Sequence, residues 1–195
     1  MNNINIFSNT ILFKNCNINE YNKDVLNFLK EYKKNNKSVI KSNRHGYQTD
    51  NITNQHITLP LFKNSISLLN THYKFNKDVK ITLMNLWINE NNQYAYNYPH
   101  YHDTAHFSGV YYIKVPINSG KLIFYRESNA VNTFGLNDFI LEPKNETSTD
   151  YFLDPKENLL VLFPSHLVHM VEPNYNEQER VSISFNLTLS YSDHG

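Results

Sequence analysis

The sequence predicts an α+β chain dominated by an all-β core, a barrel or jelly roll with helices confined to its N-terminal part. Three observations carry this. Helical apolar periodicity is confined to the segments before about residue 78. From Val79 onward, short runs rich in β-branched and aromatic residues alternate with turn residues. Fourteen Tyr and twelve Phe in 195 residues are enough to fill a real core, which argues against disorder despite the many asparagines.

Taken in order, residues 4–14 read as one or two short strands around Ile4, Ile6, Phe7, Ile11, Leu12 and Phe13. From about Asn19, Tyr21, Val25, Phe28, Leu29 and Tyr32 fall at helical spacing, and Lys33-Lys34-Asn35-Asn36 closes the helix. A second helix is expected from Pro60 to about Tyr73, with Pro60 at its first position and Phe62, Ile66, Leu69 and Tyr73 as its apolar stripe. Lys80–Asn89, Ser108–Val115, Lys121–Tyr125, Phe139–Leu141, Leu159–Phe163, His169–Glu172 and Val181–Leu189 then read as strands, with Asn118-Ser119-Gly120 as a turn. No repeat or linker interrupts the chain, so residues 1–195 are expected to form one domain, with 1–78 flanking a 79–190 β core.

Composition removes several function classes. Lys plus Arg and Asp plus Glu number 18 each, so the chain has no general electrostatic attraction for nucleic acid or anionic lipid. No apolar run approaches the roughly 20 residues that span a bilayer, and the N-terminus lacks the features of a signal peptide. The lone Cys16 excludes an intramolecular disulfide framework and reads as a small half-buried side chain. Cytoplasmic residence is the expectation, and a homodimer is left open.

Three segments carry chemistry. In Pro99-His100-Tyr101-His102-Asp103, an extended backbone would aim His100 and His102 at one point, and neutral imidazole is a good ligand for ferrous iron or zinc. In Leu159–His169, an apolar strand breaks at Pro164 and a loop delivers His169, which needs a hydrogen bond or a metal; His166 is expected to be exposed. In Arg180–Asn186, Arg180, Ser182, Ser184 and Asn186 share one face opposite Val181, Ile183 and Phe185. That stripe is either the solvated side of a strand or the lining of a cavity that takes a carboxylate.

The order of these segments resembles the iron(II)- and 2-oxoglutarate-dependent dioxygenase superfamily, whose pattern is His-x-Asp/Glu, a distal His and a downstream Arg-x-Ser. The nearer resemblance is to a group of 2OG-Fe(II) oxygenases frequent in bacteria and their phages. It rests on Ser42-Asn43 with Gly46-Tyr47-Gln48, HYHDTAHFSGVYYIKVPINSGKLIF, FPSHLVH with VEPN, and RVSISFN, and it covers nearly the whole chain.

This resemblance implies a double-stranded β-helix (jelly-roll, cupin-like) core with about two flanking N-terminal helices. It further implies Fe(II), 2-oxoglutarate and O2 as cofactor and co-substrates, and hydroxylation of a small-molecule or peptidyl substrate with release of succinate and CO2. A phage-encoded chain would act in its host's cytoplasm. His169 matches the distal iron ligand, Arg180 the partner of the far 2-oxoglutarate carboxylate, and Ser182 its helper, with Tyr111 or Tyr112 supplying a further hydroxyl. The sequence departs from the pattern where His102 occupies the usual carboxylate position. The working ligand set is therefore His100, His102 and His169, with Asp103 in reserve should a bulge turn it inward.

Asn43, Tyr47, Gln48, Trp87 and the polar run Asn89–Asn97 are candidates for the substrate rim. Two rival readings remain at this point. One is a three-histidine zinc hydrolase or lyase, which has no use for Arg180. The other is a jelly-roll binding module, such as a phage accessory protein, without catalysis.

Overall fold

The computed structural model describes residues 9–126 and 148–192. The expected strands before residue 9 and at Phe139–Leu141 lie outside the described residues. Strand β1 (Leu12–Asn15) precedes helix α1 (Asn19–Asn35), two-residue strands β2 (Asn43–Arg44) and β3 (Tyr47–Gln48), and helix α2 (Gln55–His72). Then come β4 (Val79–Asn91), β5 (Tyr96–His100), β6 (Phe107–Lys114), β7 (Leu122–Tyr125), β8 (Asp150–Leu153), β9 (Leu159–Pro164), β10 (His169–Val171) and β11 (Arg180–Tyr191).

All pairings are antiparallel and build two sheets. The larger runs β1-β9-β6-β11-β4-β3 and the smaller runs β2-β5-β10-β7-β8. This is the jelly-roll core of a double-stranded β-helix with two flanking N-terminal helices.

Alternation along β11 shows how the sequence builds both faces of the larger sheet. Val181, Ile183, Phe185 and Leu187 join Val25 and Leu29 of α1, Leu61 and Leu69 of α2, and Leu86, Tyr111, Leu160 and Leu162 in one apolar cluster. Each large aliphatic side chain so buried contributes about 1.5–3 kcal/mol, and together they seat the helices on that face. The opposite face carries Tyr112, Val161 and Phe163, which pack with Leu122, Phe124 and Leu167 from the smaller sheet and its turn. Gly109 has no room for a side chain, because a Cβ there would come within 2.3 Å of the Phe185 ring.

Helix α2 corrects the sequence reading. It starts at Gln55 rather than Pro60, because Asn54 caps it: its side-chain oxygen accepts the His56 N–H at 2.9 Å. Pro60 lies inside the helix. The buried face is Ile57, Leu61, Ser65, Leu68 and Leu69, rotated from the expected stripe so that Phe62 is only partly buried. Among the described residues no helix is long and apolar enough to cross a membrane.

Candidate metal and carboxylate site

The polar stripe of β11 does not face solvent. Arg180 is 1% exposed and Ser182 is 6% exposed; with Ser184 they line a cavity between the sheets. The cavity encloses about 570 Å³ of unfilled space counting its open mouth. Trp87, Asn89, Asn91 and Asn97 line it as well, with the three histidines towards one part and Leu122, Phe163, Val171 and Phe185 as apolar walls.

The histidines converge because of strand register. His169 on β10 sits directly opposite His100 on β5, and directly opposed residues share a face. Their ring centroids are 4.4 Å apart; His102, just past the end of β5, lies 5.2 Å from His100 and 5.4 Å from His169. One ring nitrogen from each lies within 4.8 Å of the others. Such a trio can hold one divalent ion with coordination positions left open.

Two further bonds set the tautomers. His100 Nδ1 is 2.6 Å from the Tyr98 carbonyl, and His169 Nδ1 is 2.9 Å from the Leu167 carbonyl. A carbonyl only accepts, so each Nδ1 carries the proton and each Nε2 keeps a bare lone pair, which is the arrangement that a metal-ligating histidine needs. Burial pushes His169 down to about 3, with the neighbouring imidazoles adding to the fall. Burial, then His100, brings His102 to about 4, and burial also lowers His100. All three rings are therefore neutral donors at neutral pH.

Asp103 is exposed and stands outside the cluster, so no bulge brings it inward, and among the described residues no carboxylate joins the trio.

Deeper in the cavity, Arg180 Nη1 donates to the carbonyls of Ser119 and Gly120, the latter at 3.1 Å. Gly120 has φ +83°, and a Cβ there would lie 2.4 Å from the Glu172 carbonyl, so only glycine suits this turn. Burial lowers Arg180 to about 10, opposed by Tyr112 and Glu172, so it stays protonated. Yet none of the ion pairs among the described residues involves Arg180. A buried cation with no carboxylate in direct contact is costly, and its donors beyond Nη1 are left for an incoming carboxylate. Asn89 Oδ1, also in the cavity lining, is buried with no partner.

Register also separates the two tyrosines. Tyr112 pairs with Ser182 and so shares the cavity face; Tyr111 pairs with Ile183 on the helix side. The Tyr111 hydroxyl lies 2.9 Å from the side-chain oxygens of both Asn22 and Asn158, so the reading of Tyr111 as a co-substrate ligand is corrected. Burial pushes Tyr112 up to about 12 against the pull of Arg180, so it is a neutral O–H donor.

Of the rim candidates, Trp87 lines the cavity, its ring 5.9 Å from that of His102. Asn43 does not; its side chain accepts the Lys41 N–H at 2.8 Å. Tyr47 packs on the helix-side cluster and donates to the Asn36 carbonyl, because β3 alternates it away from the cavity. Gln48 is buried opposite Asn89 but outside the lining. Ser42 lines the cavity instead; it stands in the Ser42-Asn43 string that carries the family resemblance, which was the signal that could have found it.

A family model described as "Putative 2OG-Fe(II) oxygenase" matches residues 85–186, more than half of the chain. The chain belongs to this 2OG-Fe(II) oxygenase family. It is an oxidoreductase of the Fe(II)/2-oxoglutarate-dependent dioxygenase class, and its clustered histidines suit the metal of that cofactor class. No curated protein matches the sequence.

Among solved structures, the viral collagen prolyl hydroxylase of Paramecium Bursaria Chlorella virus-1 superposes with a TM-score of 0.59 at 14% identity, covering 91% of this chain and 94% of that one. The prolyl hydroxylase of Trichoplax adhaerens, solved with a hypoxia inducible factor peptide fragment, gives 0.62 at 17% identity over 94% and 81%. HygX from Streptomyces hygroscopicus, with nickel and 2-oxoglutarate bound, gives 0.60 at 11% identity over 95% and 84%. At these identities the likeness is one of fold.

Proposed function

We propose that this oxygenase binds iron(II) through His100, His102 and His169 and seats the distal carboxylate of 2-oxoglutarate on Arg180, Ser182 and Tyr112. One observation carries the reading. A trio of clustered imidazoles and a buried guanidinium with no ion-pair partner among the described residues line the same cavity. A zinc hydrolase or lyase would give that guanidinium nothing to do. The high coverage of the solved oxygenases supports treating residues 1–195 as a single oxygenase domain.

Iron and 2-oxoglutarate, when bound, couple the oxidative decarboxylation of 2-oxoglutarate by O2, which yields succinate and CO2, to oxidation of a second substrate, by default its hydroxylation. The protein's own part is positioning and exclusion. Arg180 offers a fork for one carboxylate in a site of low dielectric, where a charge-assisted pair is strong. Ser182 and Tyr112 add hydroxyl donors on the same face. The Tyr98 and Leu167 carbonyls hold two imidazoles in the ligating tautomer. Leu122, Phe163, Val171 and Phe185 give the cavity apolar walls.

Trp87 and the asparagines Asn89, Asn91 and Asn97 offer the second substrate only neutral polar groups, and among the described residues Arg180 is the one cationic side chain of the lining. That favours an uncharged substrate group at the site, on a small molecule or a peptide.

The test is anaerobic reconstitution with ferrous iron and 2-oxoglutarate, followed by admission of air. A weak visible charge-transfer band and then succinate should appear. Both should vanish in His102→Ala and persist within about twofold in Asp103→Ala, since the exposed Asp103 carboxylate stands outside the cluster and orients none of its rings. Undiminished succinate from His102→Ala, or its loss in Asp103→Ala, would overturn the ligand set.

A further inference from the structure

The three imidazoles are not anchored alike. His100 and His169 lie in paired strands, and each Nδ1 is fixed on a carbonyl. His102 lies past the end of β5, and its hold is through the backbone: its N–H donates to the Ser165 carbonyl at 2.9 Å. Ser165, fully buried in the turn between β9 and β10, returns its own N–H to the His106 carbonyl at 3.1 Å. Both ends of the 102–106 loop are thus tied to one residue.

Ser165 is itself the end of a buried polar file. Its Oγ lies 2.9 Å from Ser108 Oγ, Ser108 Oγ lies 2.7 Å from Asn186 Oδ1, and Asn186 Nδ2 lies 2.9 Å from Asn85 Oδ1. Donor capacity sets the direction. An amide oxygen only accepts, so the single Ser108 proton goes to Asn186, and the Ser165 hydroxyl must donate to Ser108. The file therefore runs from the Ser165 turn across β6 and β11 to β4.

Burying three polar side chains, Ser165, Ser108 and Asn186, carries a desolvation cost that apolar residues of like size would avoid. We infer that the file positions a metal ligand: by locking Ser165, Ser108 and Asn186 hold the loop that presents His102. This inference rests on the proposed ligand set. Ser165 and Ser108 are positioning residues in this role, and Ser165 lies outside the cavity lining.

The experiment is an anaerobic Fe(II) titration of the full chain by calorimetry, for the wild type, Ser165→Ala, His102→Ala and the double variant. Loss of an outer group that orients a ligand weakens metal affinity about tenfold or more, and that is expected for Ser165→Ala alone. In the His102→Ala background the same substitution should change affinity less than about twofold, because the ligand it positions is gone.

A purely packing role predicts equal weakening in both backgrounds and would sink the inference. Ser108→Ala, expected to show the same pattern, serves if Ser165→Ala does not fold. If His102→Ala weakens Fe(II) binding while Ser165→Ala and Ser108→Ala do not, the relay fails and the ligand set stands. If His102→Ala itself leaves affinity unchanged, the ligand set fails and the relay with it.

Discussion

Replacing Arg180 by Met keeps much of the buried volume and deletes the one guanidinium of the cavity. The side chain is 1% exposed, only Nη1 is engaged, and both of its bonds go to backbone carbonyls of the Asn118–Gly120 turn. In the proposed complex its remaining donors meet a carboxylate shielded from water. Truncating one partner of such a buried charge pair costs about 2–5 kcal/mol, and at roughly 1.4 kcal/mol per decade 2-oxoglutarate should bind at least about 30-fold more weakly.

Stability should move little. Two carbonyls lose a donor at about 1–3 kcal/mol each, but an uncompensated buried charge is relieved at the same time. Fe(II) affinity without 2-oxoglutarate should not weaken, since no imidazole bonds to Arg180 and loss of a like charge in the same cavity relieves repulsion. Anaerobic calorimetry of 2-oxoglutarate into the iron-loaded variant reads the effect, and a melting curve verifies folding. Arg180→Lys should recover part of the loss, because it keeps the charge without the planar fork. A folded Arg180→Met protein that binds 2-oxoglutarate within about threefold of wild type would refute the assignment.

Other expectations follow from the same geometry. Tyr112→Phe should weaken 2-oxoglutarate binding by roughly 1 kcal/mol, about fivefold, the ordinary worth of one neutral donor. Tyr111→Phe should leave that binding unchanged and lower the melting temperature instead, because its hydroxyl serves Asn22 and Asn158; the reverse pattern would show the tyrosines misassigned. Acid should destabilise the metal-free protein through His169. Its folded value, about 3, lies below the roughly 6.5 of an unfolded histidine, so the unfolded chain takes up a proton first as pH falls through 6.5. That loss reaches about 2 kcal/mol by pH 5 and keeps growing towards pH 3. Chemical denaturation at pH 7.5 and pH 5 should show a smaller drop for His169→Gln than for wild type, and equal drops would refute it.

How much of this was legible in the sequence depended on whether the signal was local. Alternation along Arg180–Leu187 separated a polar from an apolar face, but whether the polar one met water or a cavity depended on β5 and β10 closing over it. The choice between Tyr111 and Tyr112 depended on cross-strand register, which no single strand contains. Strand β5 escaped notice because Tyr96–His100 is short and carries Asn and Pro. Pro99 is tolerated where the β5–β10 register shifts between His100 and Asn97. Tyr47 and Gln48 matched a family string, yet the two-residue strand β3 turns Tyr47 to the helices and leaves Gln48 beyond the cavity wall. The start of α2 was local but was read from the wrong residue, since the Asn54 cap outweighs the preference of Pro60 for a first position.

The replacement of a carboxylate by His102 has a consequence for how the parts of the site depend on one another. Neutral imidazoles leave a bound divalent cation with its full charge, and Arg180 adds another in the same water-poor cavity. No acidic side chain lines that cavity among the described residues. In the proposed complex the dianionic 2-oxoglutarate would be the main source of opposing charge, with the metal held by the histidines at one end and the guanidinium at the other. Charges this close in a low dielectric are strongly coupled, and coupling between two ligands is reciprocal, so the metal should tighten 2-oxoglutarate by the same factor that 2-oxoglutarate tightens the metal. In a site with a carboxylate ligand, part of that coupling is already spent inside the protein. On the proposed ligand set the three histidines and Arg180 would act as halves of one anion site, which would account for the polar stripe of β11 being buried rather than turned to water.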